Sequence, residues 1–196
     1  MVTENNADLE LELELEARRR VYEFIKTNPG THMREIQRRL DMPIGHLKFH
    51  IEYLVKHEIL TEKSDRYYKR YYLTGTLGSL DKNALAILRQ QYPRWIILHL
   101  LQIPKVKHKE LLEKFELKPS TLSFYLKAMI EKELVTRVKA GRESIYTLNN
   151  PENIIKILIT YQPSFFDKLV DRFLDTWFEG FDRSEVGVED DDEGNN

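Results

Sequence analysis

Residues 44–63 read IGHLKFHIEYLVKHEILTEK. Leu47, Ile51 and Leu54 in this stretch are spaced i, i+4 and i+7, which predicts an amphipathic helix with one buried apolar stripe. Two runs rich in β-forming residues follow, near Ile59–Lys63 and Tyr67–Leu73, with Ser64-Asp65-Arg66 between them. Short runs of this kind, separated by a few turn-forming residues, predict a β-hairpin. The sequence of this segment therefore predicts a helix followed directly by a β-hairpin.

The residues before this stretch predict two further helices. Val21 and Ile25 lie on one face of a first helix, which Asn28-Pro29-Gly30 ends. A short second helix carries Ile36 on its inner side, and residues 41–43 form a tight turn into the third helix. Three helices and a hairpin thus form one small module.

The same pattern occurs a second time, 75 residues further along the chain. Residues 119–138 read PSTLSFYLKAMIEKELVTRV, and this offset places Phe49 on Phe124 and Tyr71 on Tyr146 without a gap. We therefore predict a mainly α fold with small β-hairpin wings, made of two tandem modules and C-terminal helices. The predicted organisation is an acidic N-terminal segment (1–16), a first module (17–74), a linker (75–81), a second module (82–149), C-terminal helices (150–181) and a disordered acidic tail (182–196).

These two segments resemble the recognition helix and first wing strand of a known class of regulators. The corresponding parts of ArsR- and MarR-like winged helix-turn-helix proteins look like two segments of this chain. In the first module these are Gly45–Leu54 with Ile59-Leu60-Thr61, and in the second they are Pro119–Lys127 with Leu134-Val135. The two-module layout is similar to that of archaeal tandem winged-helix regulators. The resemblance covers roughly residues 17–149 and implies a sequence-specific regulator of transcription that binds double-stranded DNA.

Charge is distributed unevenly along the chain. The formal net charge is −2, but residues 1–16 contain six acids and no base, and residues 182–196 contain seven acids and one base. Residues 17–74 contain 13 bases and 7 acids, and residues 82–149 contain 13 bases and 6 acids. A basic body between acidic ends favours a polyanionic partner such as DNA.

The expected DNA contacts come from the recognition helices and the wings, because the major groove admits one α-helix and a wing reaches flanking phosphates. The helix positions expected to contact DNA are Gly45, His46, Lys48, Phe49 and His50 in the first module, and Ser120, Thr121, Ser123, Phe124, Tyr125 and Lys127 in the second. The corresponding wing positions are Arg66, Lys69 and Arg70, and Arg137, Lys139 and Arg142.

The aromatic residues of these segments leave several alternatives open. Phe49 and Phe124 fit either packing under the helix or contact with DNA. Tyr71 and Tyr146 share one register position and are expected in the core. Tyr68 and Tyr72 alternate with Arg70, which favours an exposed strand face for them.

Other function classes find little support in the sequence. The chain has no cysteine, no phosphate-binding glycine loop and no nucleophile motif, so we expect no enzymatic activity and no cofactor. His46 and His50 have the i, i+4 spacing that can hold zinc, but no third ligand lies near them in sequence, and we predict no metal site. We expect no membrane contact, and a cytoplasmic protein without a secretory signal. The alternative to a DNA-binding regulator is a tandem winged-helix module that joins proteins in a complex such as the transcription machinery.

The segments outside the modules are less clear from sequence. Leucines alternate with glutamates in residues 9–16, a period that suits a strand, whereas both residue types favour helix. Asp81 is expected to cap a helix that runs to Gln91, and Ser164 to cap a last helix rich in aromatic residues. That last helix either packs on the second module or forms a homodimer with a second chain.

Overall fold

The computed structural model describes residues 2–65 and 68–185, and side chains within residues 15–65 and 68–178. Its first module contains three helices and three strands, with the hairpin after the third helix as the sequence predicts. The elements are α1 (Val2–Thr27), β1 (Thr31–His32), α2 (Met33–Leu40), α3 (Ile44–Lys56), β2 (Leu60–Asp65) and β3 (Tyr68–Leu73).

The second half of the chain repeats this order of elements after one additional helix. Two C-terminal helices then follow the second hairpin. The elements are α4 (Ser79–Leu88), α5 (Gln91–Gln102), β4 (Val106–Lys107), α6 (His108–Phe115), α7 (Pro119–Glu131), β5 (Val135–Ala140), β6 (Glu143–Leu148), α8 (Pro151–Phe165) and α9 (Lys168–Glu185).

Each module contains a three-stranded antiparallel sheet, with order β1-β3-β2 in the first and β4-β6-β5 in the second. Leu60 pairs with Leu73 in one hairpin, and Val135 pairs with Leu148 in the other, so the register is the same at the offset of 75 residues. The predicted mainly α fold with small β-hairpin wings is confirmed. The short strands β1 and β4 were not predicted, because two residues are too few to show an alternating pattern.

Two hydrophobic cores form around the predicted apolar stripes. Leu47, Ile51 and Leu54 of α3 are buried with α1 and β3 in the first core. The second core is larger, because α4, α8 and α9 add to the helices of the second module. Tyr71 and Tyr146 are both buried, as predicted from their shared register.

Helix ends differ from the prediction at three places. Asp81 is not the N-cap residue, because α4 begins at Ser79 and Asp81 lies in its first turn, where Oδ2 accepts from the Gly78 N–H at 3.3 Å. Helix α4 ends at Leu88 instead of Gln91. Helix α5 begins at Gln91, so Pro93 lies in its first turn, where proline removes no helical hydrogen bond. Ser164 does not cap the last helix but lies inside α8, where its hydroxyl donates to the carbonyl of Tyr161. The cap before α9 is Asp167, whose Oδ1 accepts from the Leu169 N–H at 3.0 Å.

The acidic N-terminal segment is continuous with the first helix, which begins at Val2. The helical preference of leucine and glutamate thus prevails over their period-two alternation. At the other end α9 extends to Glu185, past the predicted start of the tail at residue 182. Residues 186–196 of that predicted tail lie outside the described part of the chain. Within the described residues, no helix is long and apolar enough to cross a membrane.

A buried ion pair links the two modules. Asp65 at the end of β2 accepts from Arg70 Nε at 2.6 Å, and its other oxygen lies 2.9 Å from Lys132 Nζ of the second module. Burial alone would raise the pKa of the Asp65 carboxyl, but the hydrogen bonds from Arg70 and Lys132 lower that pKa below its ordinary value. The wing of the first module is therefore held against the end of α7.

A second charged cluster holds the C-terminal helices. Oδ2 of Asp167 accepts from Arg94 Nε and Nη2 at 2.8 and 2.6 Å, and from Trp95 Nε1 at 2.9 Å. Burial tends to raise the pKa of Asp167, but the bonds from Leu169, Arg94 and Trp95 lower it below its ordinary value. The carboxylate thus joins the start of α9 to α5.

We predict that Asp167→Ala lowers the free energy of unfolding by about 3–5 kcal/mol, because it leaves Arg94 buried without its carboxylate. The deficit should be full above the ordinary pKa of aspartate. It should shrink as the pH falls through the depressed pKa of Asp167, where the wild-type carboxylate is also lost. Urea unfolding between pH 3 and pH 7 measures both effects. Asp175→Ala, on the exposed side of α9, is the matched control and should change stability by less than about 0.5 kcal/mol.

Candidate nucleic-acid interface

The outer face of α3 presents four of the five predicted positions to solvent. Gly45, His46, Lys48 and Phe49 are exposed, and a Cβ built on Gly45 would meet nothing within 4 Å. Lys48 Nζ lies 3.6 Å from a carboxylate oxygen of Glu52, one turn further on, and both side chains remain largely exposed. Such a pair contributes little to stability and leaves the lysine able to reach a DNA edge or phosphate.

The prediction for His50 is wrong, because this residue lies on the inner face of α3. His50 is completely buried, and its Nε2 lies 2.9 Å from Nε2 of His46. The physical reason is helical spacing, since His50 follows the buried Leu47 by three residues and therefore shares its face. The exposed His46 is thus held by the ring of a buried histidine.

The first wing contributes fewer basic groups than expected. Lys69 is exposed and forms a 2.6 Å ion pair with Glu62 across the hairpin. The prediction that Arg70 contacts DNA is wrong, because Arg70 is only 3% exposed. Its Nε donates to Asp65, and its Nη1 donates to the carbonyl of Gly30 at 2.9 Å. Arg66 lies outside the described residues.

Burial of Arg70 and Tyr72 has a common cause. The strand face that carries them, which the alternation predicted to be exposed, is covered by the second module. Tyr72 is fully buried and donates from its hydroxyl to the carbonyl of Lys82 in α4. Burial raises the pKa of Tyr72 to about 12. Tyr68, nearer the wing tip, is half exposed as predicted.

The residues of α7 that were predicted to contact DNA lie in two different environments. Ser120, Ser123 and Lys127 are exposed to solvent, and Thr121 is half-buried. Phe124 and Tyr125 instead line a cleft between the two modules. The ring of Tyr125 also stacks on Tyr92, with centroids 6.2 Å apart.

The second wing presents a more basic surface. Arg137, Lys139 and Arg142 are all exposed, and Arg137 Nε donates to Ser144 Oγ at 3.0 Å. Gly141 occupies the turn with φ of +62°, a conformation that favours glycine. The turn therefore places Arg142 at the tip of the hairpin.

A basic cleft lies between this wing and the first half of α7, with a volume of about 410 Å³. Sequence reasoning missed Lys107, His108 and Lys109, which join Ser123, Arg137 and Arg142 in lining it. Lys107 pairs with Glu143 at 2.8 Å, and this hydrogen bond raises the pKa of Lys107. No motif marks these three residues, because strand β4 and the start of α6 reach the wing only through sheet pairing.

The described residues contain no group of three or more histidine, cysteine, aspartate or glutamate side chains that could hold a metal ion. The prediction of no metal at His46 and His50 rests on the sequence argument given above.

Comparison with known proteins gives matches in sequence and in structure. Residues 15–85 match the family model described as HTH_HVO_0163_N, N-terminal HTH domain. The chain is 27% identical over 152 residues to an uncharacterized HTH-type transcriptional regulator of Methanocaldococcus jannaschii, which covers 78% of this chain. The match spans 38% of that relative's own length.

Two solved structures resemble about two-fifths of the chain. HlyU from Vibrio cholerae is 24% identical and covers 43% of this chain and 90% of its own, with a TM-score of 0.39. The transcriptional repressor PagR of Bacillus anthracis is 24% identical and covers 41% of this chain and 91% of its own, with a TM-score of 0.37.

In the first module, the segment matched by the HTH family model includes both the α2–α3 helix pair and the β2–β3 wing. The fold and this match together show that the first module is a winged helix-turn-helix domain.

Proposed function

We propose that this protein is a sequence-specific regulator of transcription that binds double-stranded DNA through both modules. The observation that carries the proposal is the basic cleft of the second module, between a wing and the helix that would enter the major groove. Wings and helices placed in this way contact flanking phosphates and base edges at the same time. The absence of a catalytic motif in the sequence agrees with a binding function.

In the proposal, Ser120 and Ser123 of α7 contact base edges, while Arg137 and Arg142 contact the adjoining phosphates. In the first module Gly45 allows close approach, Lys48 reaches a guanine edge or a phosphate, and Phe49 contacts a thymine methyl group. The first wing contributes Lys69. This assignment makes the second wing the main source of electrostatic affinity.

A variant with Arg137, Lys139 and Arg142 all changed to glutamine tests the electrostatic part. Each lost phosphate contact should reduce the slope of log K against log salt by about 0.9, so the slope should fall by about 2–3 in total. Fluorescence anisotropy with a duplex at several salt concentrations measures the slope. The control replaces Lys26, Lys114 and Lys168, which are exposed elsewhere, and should leave the slope nearly unchanged. Equal slopes for both variants would contradict the assignment.

Selection from a random duplex library at near-physiological salt tests specificity. Enrichment of one motif is the expected result, because specificity distinguishes a regulator from a protein that is merely basic. Binding without enrichment would instead favour the interaction-module alternative. The selection should be repeated with Ser123→Ala, which should relax the preference at one base position.

We further propose that α8 and α9 form the contact between two copies of the chain. Val170, Phe173 and Leu174 of α9 are buried against the second module, but Ile159 and Phe178 remain exposed beside Trp177. Glu152 and Lys156 lie at the same groove. In a two-fold arrangement the glutamate of one copy would face the lysine of the other.

Sedimentation equilibrium tests this contact. Ile159→Asp should shift the protein towards monomer by at least tenfold in dissociation constant, because it places a charge in the apolar groove. Ile103→Asp, at a similarly exposed isoleucine after α5, is the control and should leave association unchanged. A wild-type protein that stays monomeric at high concentration would refute the contact.

A further inference from the structure

A cleft of about 350 Å³ lies between the two modules and is separate from the basic cleft at the second wing. The sheet of the first module forms one wall, and helices α4 and α7 of the second module form the other. Its volume is within the range of small-molecule sites, which start at about 300 Å³. The polar and aromatic side chains at its surface are His32, Asp65, Tyr68, Arg70, Arg89, Gln90, Phe124, Tyr125 and Lys132.

Positive charge exceeds negative charge among these residues. Among the described residues, the cleft is lined by three cations, Arg70, Arg89 and Lys132, and by one carboxylate, Asp65. Asp65 already accepts from both Arg70 and Lys132. The lining therefore carries two positive charges more than its own carboxylate offsets.

The hydrogen bonds of the Arg89 guanidinium also leave its positive charge without a bonded carboxylate. Its guanidinium donates to the carbonyl of Pro29 at 2.9 and 3.0 Å, and to the carbonyl and hydroxyl oxygens of Ser164 at 2.6 and 2.9 Å. These acceptors are all neutral. Burial lowers the pKa of Arg89 to about 10, with Arg70 and Arg94 adding to the effect against the attraction of Glu35.

The pKa of Lys63, which lies beside the cleft, is lowered by burial and by neighbouring positive charges. Its ammonium group donates to Asn83 Oδ1 at 2.9 Å, across the boundary between the modules. Burial lowers the pKa of Lys63, and the neighbouring charges of Lys132 and Lys82 lower it further. Cations gathered in a half-buried place favour the entry of an anion.

Aromatic rings supply the other half of the cleft. Tyr68 and Phe124 are each about half exposed, on opposite walls. The ring of His32 stacks on Tyr68, with centroids 4.8 Å apart and planes 20° apart. Flat faces of this kind bind planar rings, including nucleobases, with little dependence on sequence or substituents.

We propose that this cleft binds a small aromatic phosphate monoester of the size of a nucleoside monophosphate. The ring would lie against Tyr68 and Phe124, and the phosphate would lie near Lys132 and Arg89. A phosphate monoester carries about −1.5 to −2 charges at pH 7, which is opposite in sign to the excess positive charge of the lining. Lysine and arginine are also the side chains that best bind phosphate oxygens.

A DNA phosphate is a poor match for the same groups. The side chains of Arg70 and Asp65 are 4% and 8% exposed, and that of Lys132 is 18% exposed. A cleft of about 350 Å³ is in the size range of small-molecule sites, whereas a duplex would have to bring its phosphate to side chains that are largely covered. The ligand is therefore a free small molecule.

Occupancy of the cleft would bear on the arrangement of the modules. The walls come from different modules, so a ligand that touches both favours one relative placement of them. Phe124 belongs to α7, the helix assigned above to the major groove. An effect of the ligand on DNA binding rests on the proposed function, whereas ligand binding itself does not.

Isothermal titration calorimetry without DNA tests the site, with AMP, GMP, CMP and UMP as probes. At least one should bind with a dissociation constant below about 1 mM and at least tenfold more tightly than both its own nucleoside and inorganic phosphate. Equal binding of inorganic phosphate would refute the aromatic part. Equal binding of the nucleoside would refute the charge part. No binding by any nucleotide would overturn the proposal.

Phe124→Ser and Phe49→Ser form a matched pair of variants. The two phenylalanines occupy the same register position and are equally exposed, at 49%, but Phe49 does not line the cleft. Phe124→Ser should weaken nucleotide binding at least fivefold, and Phe49→Ser should leave it unchanged. If Phe124→Ser fails to fold, as judged by circular dichroism, Tyr68→Ser on the opposite wall replaces it. Equal nucleotide affinity for the folded variants and the wild type would overturn the site.

A final titration separates the two proposals. DNA affinity is measured with and without the best nucleotide at saturation, and a change of at least threefold is expected. If the protein binds the nucleotide but no DNA sequence, the cleft is supported and the regulator proposal fails. If it binds DNA but no nucleotide, the opposite holds.

Discussion

The arrangement of the whole molecule depends on the carboxylate of Asp65. Asp65 is the last residue of β2, the first strand of one wing. Its carboxylate bonds to Arg70 of the neighbouring strand and to Lys132 of the other module. A buried carboxylate is unfavourable unless charged donors surround it, and here two of them come from different modules. The first hairpin is therefore part of the joint between the modules as well as a wing. Arg89, which bonds Pro29 to Ser164, reinforces the joint on the other side.

This joint makes two similar modules unequal. The hairpin of the first module lies partly against the second, so Arg70 and Tyr72 are buried and the surface of that wing is reduced. The hairpin of the second module is exposed on its outer face and keeps Arg137, Lys139 and Arg142 at the surface. The two third helices differ in the same way, since Phe49 faces solvent whereas Phe124 lines the cleft between the modules. The proposed DNA-binding surface and the proposed ligand cleft therefore lie in different parts of one fold.

Errors in the candidate site follow from two physical causes. His50 lies one helical turn after the buried Leu47 and shares its inner face, which follows from the helical period of 3.6 residues. Arg70 was misplaced for a reason that no local pattern contains, because its strand face is covered by residues of the other module. Lys107 and Lys109 were missed since they reach the wing through the pairing of β4 with β6. The exposed positions of α3 and of the second wing, by contrast, follow directly from helical and strand periodicity.

Local sequence patterns predict the secondary-structure elements and their repetition. Apolar residues at helical spacing, alternating strand residues, and turn formers between them are local features, so they predict three helices and a hairpin twice over. Their identical register at an offset of 75 residues also predicted the shared core position of Tyr71 and Tyr146. Packing in three dimensions fixes how the modules meet, which wing stays exposed, and which cations share a carboxylate. These outcomes depend on contacts between the two modules, such as that of Asp65 with Lys132, and the sequence pattern on either side of such a contact carries no record of its partner.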